Sequence, residues 1–215
     1  MMRWLQSGPA VARGAPATAA ANEQSCRGMA LALRRILKQG ARPEVLDLGQ
    51  FSRSAAIYLA SRGARVCVED FAPPPPTPRL KPGAKSIAKP VISIPQPDGK
   101  FDLVLAWEHV DFVPPDRLGD FAAELSRVML PGGWLILFAE DRPGTKGSRP
   151  DRPACYRLTA DDRIVRSPTT GPERPRWAHP NRAIERALSP LTVQSIQLQR
   201  NRIREFLVHK REKPS

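Results

Sequence analysis

The apolar and polar residues of this chain alternate in blocks that predict strands and helices in turn. Short apolar runs at 45–48 and 66–68 flank a helical apolar face at 55–59, which ends at Gly63. This arrangement is typical of a strand–helix–strand unit with two buried, parallel strands. Further apolar runs predict three more strands, at 91–94, 101–106 and 134–139. We therefore expect an α/β domain.

Apolar residues at helical spacing predict three helices outside this unit. The first has Ser25 as its cap and Gly40 as its stop, the second is ended by the Pro-Gly-Gly at 131–133, and the third spans 181–188 with Asn181 as its cap. The apolar positions of the first two helices are Cys26, Met29, Leu33, Ile36 and Leu37, and Leu118, Phe121, Ala122, Leu125 and Val128.

Two regions interrupt the alternation. The segment 72–90 is rich in proline, which removes backbone donors and fixes an extended backbone, so the helix expected to cover the sheet there is missing. The region 141–180 is interpreted as an insertion. Hairpins are predicted at two places, 156–158 with 163–166 inside the insertion, and 191–198 with 205–209 as an antiparallel end to the sheet.

The length of 215 residues suits one α/β domain, which we place at 23–215. Residues 1–22 are rich in Ala, Gly and Pro and contain no acidic residue, which predicts a flexible tail, with a cleaved targeting peptide as the alternative. No apolar run approaches the roughly 18 to 20 residues of a membrane-spanning helix, which argues against that class of protein.

The three cysteines are far apart and lack the spacing of a zinc site or a disulfide framework. We therefore expect no metal and a reducing, cytoplasmic compartment. The net charge is +13, and residues 141–215, with 17 basic and 8 acidic side chains, carry +9 of it. Such a field attracts anionic partners, nucleic acid among them, although scattered arginines on solvated faces would give the same composition.

Three motifs follow one another along the chain: VLDLG at 45–49, FDLVLA at 101–106 and LPGGWL at 130–135. In this order the chain resembles the class I S-adenosylmethionine-dependent methyltransferases, strongly over 42–140 and more weakly over 180–210. The resemblance implies a Rossmann-like, doubly wound sheet, mostly parallel with an antiparallel closing strand, in a three-layer sandwich. It also implies S-adenosylmethionine as the cofactor and a methyl acceptor that the sequence does not name.

The resemblance carries a cofactor site onto the ends of the predicted strands. Such a site needs a tight turn after the first strand and an acid after the second for the ribose hydroxyls. Asp70 lies 23 positions after Asp47, where the family has that acid. Side chains of Phe51 and Arg53 stand where the family's turn has its second and third glycines. The cofactor-binding residues implied in this way are Asp47, Gly49, Gln50, Glu69, Asp70, Ala106 and Trp107.

The substrate is expected beside the fourth strand, at Glu108 and His109, and at Trp177 of the insertion. His109 as a general base competes with its interpretation as an ordinary loop histidine. No catalytic residue is assigned, because methyl transfer from a sulfonium is an in-line displacement that alignment alone accelerates. The insertion is also predicted to recognise an anionic or planar acceptor through its arginines: Arg142, Arg149, Arg152, Arg163, Arg166, Arg174 and Arg176.

Two other functions fit the same residues. Phe51, Arg53 and the Pro-rich segment suggest a protein of this fold that binds without catalysing, as a scaffold or regulatory subunit. The C-terminal arginines suggest a basic nucleic-acid-binding module, which we favour less because few aromatic residues are interleaved with them.

Overall fold

The computed structural model describes residues 23–38, 42–49, 53–73, 91–142, 147–199 and 201–212. The predicted tail 1–22, Gly40, Gln50, Phe51 and most of the Pro-rich segment 72–90 lie outside these ranges. The helices are α1 (Arg27–Ile36), α2 (Arg53–Ser61), α3 (Leu118–Val128) and α4 (Asn181–Ala187), with 3-10 turns at His109–Phe112 and Pro115–Arg117. The strands are β1 (Glu23–Ser25), β2 (Glu44–Asp47), β3 (Arg65–Val68), β4 (Phe101–Trp107), β5 (Met129–Glu140), β6 (Ser148–Asp151), β7 (Ala154–Ala160), β8 (Arg163–Pro168), β9 (Arg174–Trp177), β10 (Thr192–Leu198) and β11 (Ile203–His209).

Six strands form the main sheet in the order β10-β11-β5-β4-β2-β3. The pairs β2–β3, β2–β4 and β4–β5 are parallel, whereas β11 runs antiparallel to both of its neighbours. Five strands therefore share one direction and β11 opposes them. The predicted doubly wound, mostly parallel sheet is confirmed.

Apolar side chains cover both faces of this sheet and make the three predicted layers. On one face, α3 and α4 pack over a cluster that includes Phe101, Phe121 and Phe206. On the other face, α1, α2 and β7 pack over a cluster that includes Met29 and Phe138. The sheet is buried on both sides because its central strands are almost wholly apolar.

The strand predicted at 91–94 is wrong, since the chain there pairs with no strand of the described sheet. Its apolar pattern has another cause, namely that Ile92 and Ile94 are buried in the core. Side chains of α3 satisfy the backbone: the Ile94 amide donates to Glu124 (2.9 Å), and Arg127 donates to the carbonyls of Ile94 (2.7 Å) and Gln96 (2.8 Å). This buried apolar segment is stable outside a β-sheet because these side chains pair its backbone amide and carbonyl groups.

The predicted cap of the first helix is also wrong. Ser25 ends β1, and Cys26 occupies the cap position without a side-chain capping bond. Glu205 on β11 replaces the local cap, because its carboxylate accepts from the Met29 amide (3.1 Å) and the Cys26 thiol (3.0 Å). A Cβ at Gly28 would lie 2.5 Å from this carboxylate, so glycine is required for the close approach.

The other two helix ends differ from the prediction in smaller ways. Pro180 is the cap residue of α4, and Asn181, the predicted cap, instead accepts a hydrogen bond from Arg204. Helix α3 ends at Val128, ahead of the Pro-Gly-Gly at 131–133, which is a bulged part of β5. Gly132 there has a φ of +80°, which favours glycine.

The insertion 141–180 forms two small antiparallel sheets. The predicted hairpin is present as β7–β8, and β6 pairs with β9. The N-terminal strand β1, which the sequence did not predict, adds to β8, with Glu23 opposite Val165. The predicted closing hairpin at 191–198 and 205–209 is present as β10–β11. Within the described ranges, no helix has the length and apolar character needed to cross a bilayer.

Candidate functional site

The edge of the sheet at the ends of β2, β3 and β4 is the candidate site. The chain leaves β2 for β3 on one side, while β4 lies on the other side of β2. In open α/β sheets a ligand binds outside the carboxyl ends of the strands at such a switch point. Gly49 follows β2, Asp70 follows β3 and Glu108 follows β4, so the linear spacing does bring these predicted residues to one edge.

Asp47 is a buried carboxylate that organises the turn after β2. Its Oδ1 accepts from the Gly49 amide (2.9 Å) and from the Trp107 indole Nε1 (2.6 Å). Burial raises the pKa of Asp47 to about 6, against the opposing effect of these two hydrogen bonds. The described hydrogen bonds of Asp47 are thus with Gly49 and Trp107 of the chain itself.

Trp107 covers Gly49. Its indole lies so close that a Cβ at Gly49 would be 2.7 Å from the Trp107 Cδ1. One face of the indole stacks on Tyr156 of the insertion, with ring centroids 4.7 Å apart and planes 3° apart. Trp107 adopts a φ of +42°, which is unfavourable for a bulky residue. Because Gly49 has no side chain, the Trp107 indole can approach its backbone this closely.

The acids after β3 differ in their surroundings. Glu69 is half-buried and accepts a hydrogen bond from Gln96 (3.3 Å). Asp70 is exposed and has no hydrogen bond or ion pair with any residue that the structure describes. Ala106, the other residue expected near the cofactor, is fully buried in the core.

Glu108 is buried in contacts with the insertion. The Tyr156 hydroxyl donates to it (2.5 Å), Arg166 binds both of its oxygens (2.7 and 2.9 Å), and Arg176 lies at 3.2 Å. Although burial alone would raise the pKa of Glu108, the two guanidinium groups hold it below the ordinary value. In this conformation its hydrogen bonds and ion pairs are with the protein itself.

His109 is buried and faces the core side of the edge. Its ring meets Phe71 edge-on, with centroids 5.7 Å apart, and its Nδ1 has no partner within the described part of the chain. Burial lowers the pKa of His109 to about 4, so the imidazole is neutral at pH 7. Trp177 lies at the end of β9 opposite Ser148, and none of its described contacts joins it to Glu108 or His109.

The sequence did not predict the buried ion cluster beneath the insertion, which we call the Arg176 cluster. It consists of Arg176 and the four carboxylates that it contacts, at 2.7 to 3.3 Å: Glu108, Asp111, Glu140 and Asp151. Arg176 is 4% exposed and Asp111 is fully buried. Glu108 and Asp111 follow β4 and Glu140 ends β5, whereas Arg176 and Asp151 belong to the insertion, so the cluster ties the insertion to the main sheet. The signal in the sequence is an acidic residue at or just after the end of β4, β5 and β6.

The arginines predicted to recognise an anionic acceptor are mostly engaged by acids of the chain. Besides Arg166 and Arg176, four others form such pairs: Arg142 and Arg149 with Glu140, Arg152 with Glu173, and Arg163 with Glu23. Arg174 has no ion pair with a described residue. These pairs account for most of the predicted acceptor-binding charge without a ligand.

The buried Asp111 makes stability depend on pH. Burial raises the pKa of Asp111 to about 7, with Arg176 opposing the shift. Between about pH 4 and 7 the folded state holds a proton that the unfolded chain releases, so this group's contribution to stability falls as pH rises. Buried histidines act in the opposite direction, so the profile is compared with that of Asp111→Asn.

From pH 6 to pH 8 we expect the free energy of unfolding of the unmodified protein, relative to Asp111→Asn, to fall by about 1 to 2 kcal/mol. Urea denaturation at several pH values measures this difference. A difference that stays constant across the range would show that Asp111 does not titrate there.

Comparison with known proteins identifies the fold. The chain is similar to several solved structures. One is an S-adenosylmethionine-dependent methyltransferase from Mesorhizobium loti (TM-score 0.52, 14% identity, 83% of this chain and 96% of that chain). Another is the Methanosarcina mazei S-adenosylmethionine-dependent methyltransferase (TM-score 0.51, 17% identity, 84% and 97%). A third is the Burkholderia thailandensis 1,6-didemethyltoxoflavin-N1-methyltransferase, solved with S-adenosylhomocysteine (TM-score 0.50, 17% identity, 86% and 77%).

The doubly wound sheet with its antiparallel β11 is the class I methyltransferase fold. Residues 46–137 match a protein family described as a methyltransferase domain. No curated protein sequence matches the chain. The resemblance found in the three motifs is therefore confirmed.

Proposed function

We propose that this protein binds S-adenosylmethionine at the ends of β2 and β3 and transfers its methyl group to an acceptor. The observation that carries the proposal is the exposed carboxylate of Asp70, which pairs with no described residue, at the switch point of the sheet. A carboxylate at this place can accept hydrogen bonds from both hydroxyls of a ribose. The cofactor supplies the methyl group on a sulfonium, and the protein supplies binding and alignment.

The described conformation fits the two ends of such a cofactor differently. The ribose end fits, because Asp70 is open to solvent and Glu69 stands beside it. The end that would approach the turn after β2 does not fit, because the Trp107 indole fills the space on Gly49. The residues that support binding in this conformation are therefore Glu69 and Asp70.

Calorimetric titration with S-adenosylhomocysteine tests the proposal. Replacing Asp70 by Ala is expected to weaken binding by about 1 to 3 kcal/mol, the range for a lost hydrogen bond to a charged group. Asp162→Ala is a control, since Asp162 is a half-exposed carboxylate on the β7–β8 turn. Absence of binding at millimolar ligand, both by the unmodified protein and by Trp107→Leu, which lacks the indole over Gly49, would refute the cofactor proposal.

The acceptor is proposed to bind at the same edge, on the side where the insertion covers β4. The insertion gives little support to an anionic acceptor, because most of its arginines are paired with acids of the chain. The free thiols of Cys26, Cys67 and Cys155 support a reducing, cytoplasmic compartment.

A further inference from the structure

Trp107 is held at the switch point by contacts on three sides. Its Nε1 donates to the buried Asp47 (2.6 Å), its ring edge lies on Gly49, and its face stacks on Tyr156. The fold leaves a crevice for a ligand at this switch point. The indole of Trp107 occupies that place.

The backbone at Trp107 is strained. A φ of +42° costs free energy for a residue with a large side chain, and such outliers persist only where surrounding contacts hold them. The neighbouring residues Ala106 and Glu108 have no positive φ. Leaving this backbone conformation would relieve the strain, which lowers the cost of moving the indole.

The insertion holds the indole in place through Tyr156. The Tyr156 ring covers the indole, while its hydroxyl donates to Glu108 (2.5 Å), which in turn is bound by Arg166. Movement of Trp107 away from Gly49 therefore requires Tyr156 to give way. The contacts of Tyr156 couple the crevice to the insertion.

We propose that the Trp107 indole is a displaceable plug, which competes with an S-adenosyl ligand for the space on Gly49 and is latched by Tyr156. This inference rests on the proposed function, because it concerns how the same site is opened. In the plugged state the crevice is filled, and in the open state the indole leaves both Gly49 and Asp47. A ligand that binds only the open state has an apparent affinity reduced by the fraction of open molecules.

Two variants test the plug by calorimetric titration with S-adenosylhomocysteine. Trp107→Leu removes the indole and is expected to bind about 10- to 100-fold more tightly than the unmodified protein, the gain that follows when a minor open state becomes the main one. Tyr156→Phe keeps the ring but removes the hydrogen bond to Glu108, which remains paired with Arg166 and Arg176, and is expected to bind about 3- to 10-fold more tightly. Trp134→Phe is the control. Trp134 lies on β5, where it pairs with Leu103 of β4 and packs on His209.

The indole N–H gives a second measurement, in which the ligand is added to the unmodified protein. The chain has four tryptophans, and the Trp107 resonance in a nitrogen–proton correlation spectrum is assigned by its loss in Trp107→Phe. Loss of the hydrogen bond to Asp47 on opening should shift this resonance when S-adenosylhomocysteine is added to the unmodified protein. The resonance of Trp134 should stay where it is.

The outcomes separate the plug from the proposed function. If the unmodified protein binds the ligand with no change in the Trp107 resonance, or if the variants bind equally or more weakly, the plug is refuted and the function stands. If the variants bind and the unmodified protein does not, the plug is supported in its strongest form. If neither the unmodified protein nor any variant binds, both proposals are refuted.

Discussion

Replacing Arg176 by Met is expected to lower the free energy of unfolding by about 3 to 5 kcal/mol at pH 7, the cost of leaving buried charges without their partner. Glu108 would keep Arg166, but Asp111 would lose its only guanidinium partner among the described residues. Urea denaturation measures the change. The loss should shrink at pH 5, because a buried Asp111 without its partner takes up a proton more readily.

Arg174→Met is the matched control for this experiment. Arg174 lies on the same strand, is half-buried, and forms no ion pair with a described residue. Its replacement is expected to change stability by no more than about 0.5 kcal/mol, as for most surface substitutions. Equal losses for the two variants would mean that the insertion is held by packing and that the Arg176 cluster contributes little.

Replacing Glu205 by Ala is expected to cost about 2 to 4 kcal/mol, because it leaves the Met29 amide and the Cys26 thiol buried without an acceptor and opens a cavity. Burial raises the pKa of the Cys26 thiol well above its ordinary value, and the Glu205 carboxylate adds to the shift, so the thiol remains a protonated donor. Thermal and urea denaturation both report this loss.

Two other variants check the origin of the effect. Glu205→Gln retains an acceptor oxygen and should lose less than Glu205→Ala. Ser25→Ala should leave stability nearly unchanged, since Ser25 ends β1 and does not cap the helix. If Ser25→Ala were as destabilising as Glu205→Ala, the assignment of the cap to Glu205 would be wrong.

The parallel core could be predicted from the sequence because buried parallel strands are apolar runs whatever lies around them. The run 91–94 has the same composition, and it is not a strand because Arg127 and Glu124 bind its backbone from α3. The cap of α1 is supplied by Glu205, 176 positions from Met29. Local rules for strands and caps cannot detect partners that only the folded chain brings together.

The candidate site was also predictable only in part. Spacing placed Asp47, Asp70 and Glu108 at one edge, because the ends of parallel strands meet there. It could not show which of these acids is open. Asp70 is exposed, whereas Glu108 is buried by Tyr156 and Arg166 from the insertion, whose position no local pattern encodes.

Strand β1 and helix α1 complete their contacts late in the synthesis of the chain. β1 pairs with β8, and the amide end of α1 is held by Glu205 on the last described strand. Contacts between residues so distant in sequence slow folding, because a long loop must close before they form. The apolar face of α1 therefore stays partly exposed to solvent until β11 has been synthesised, and the nascent protein is more exposed to aggregation until then.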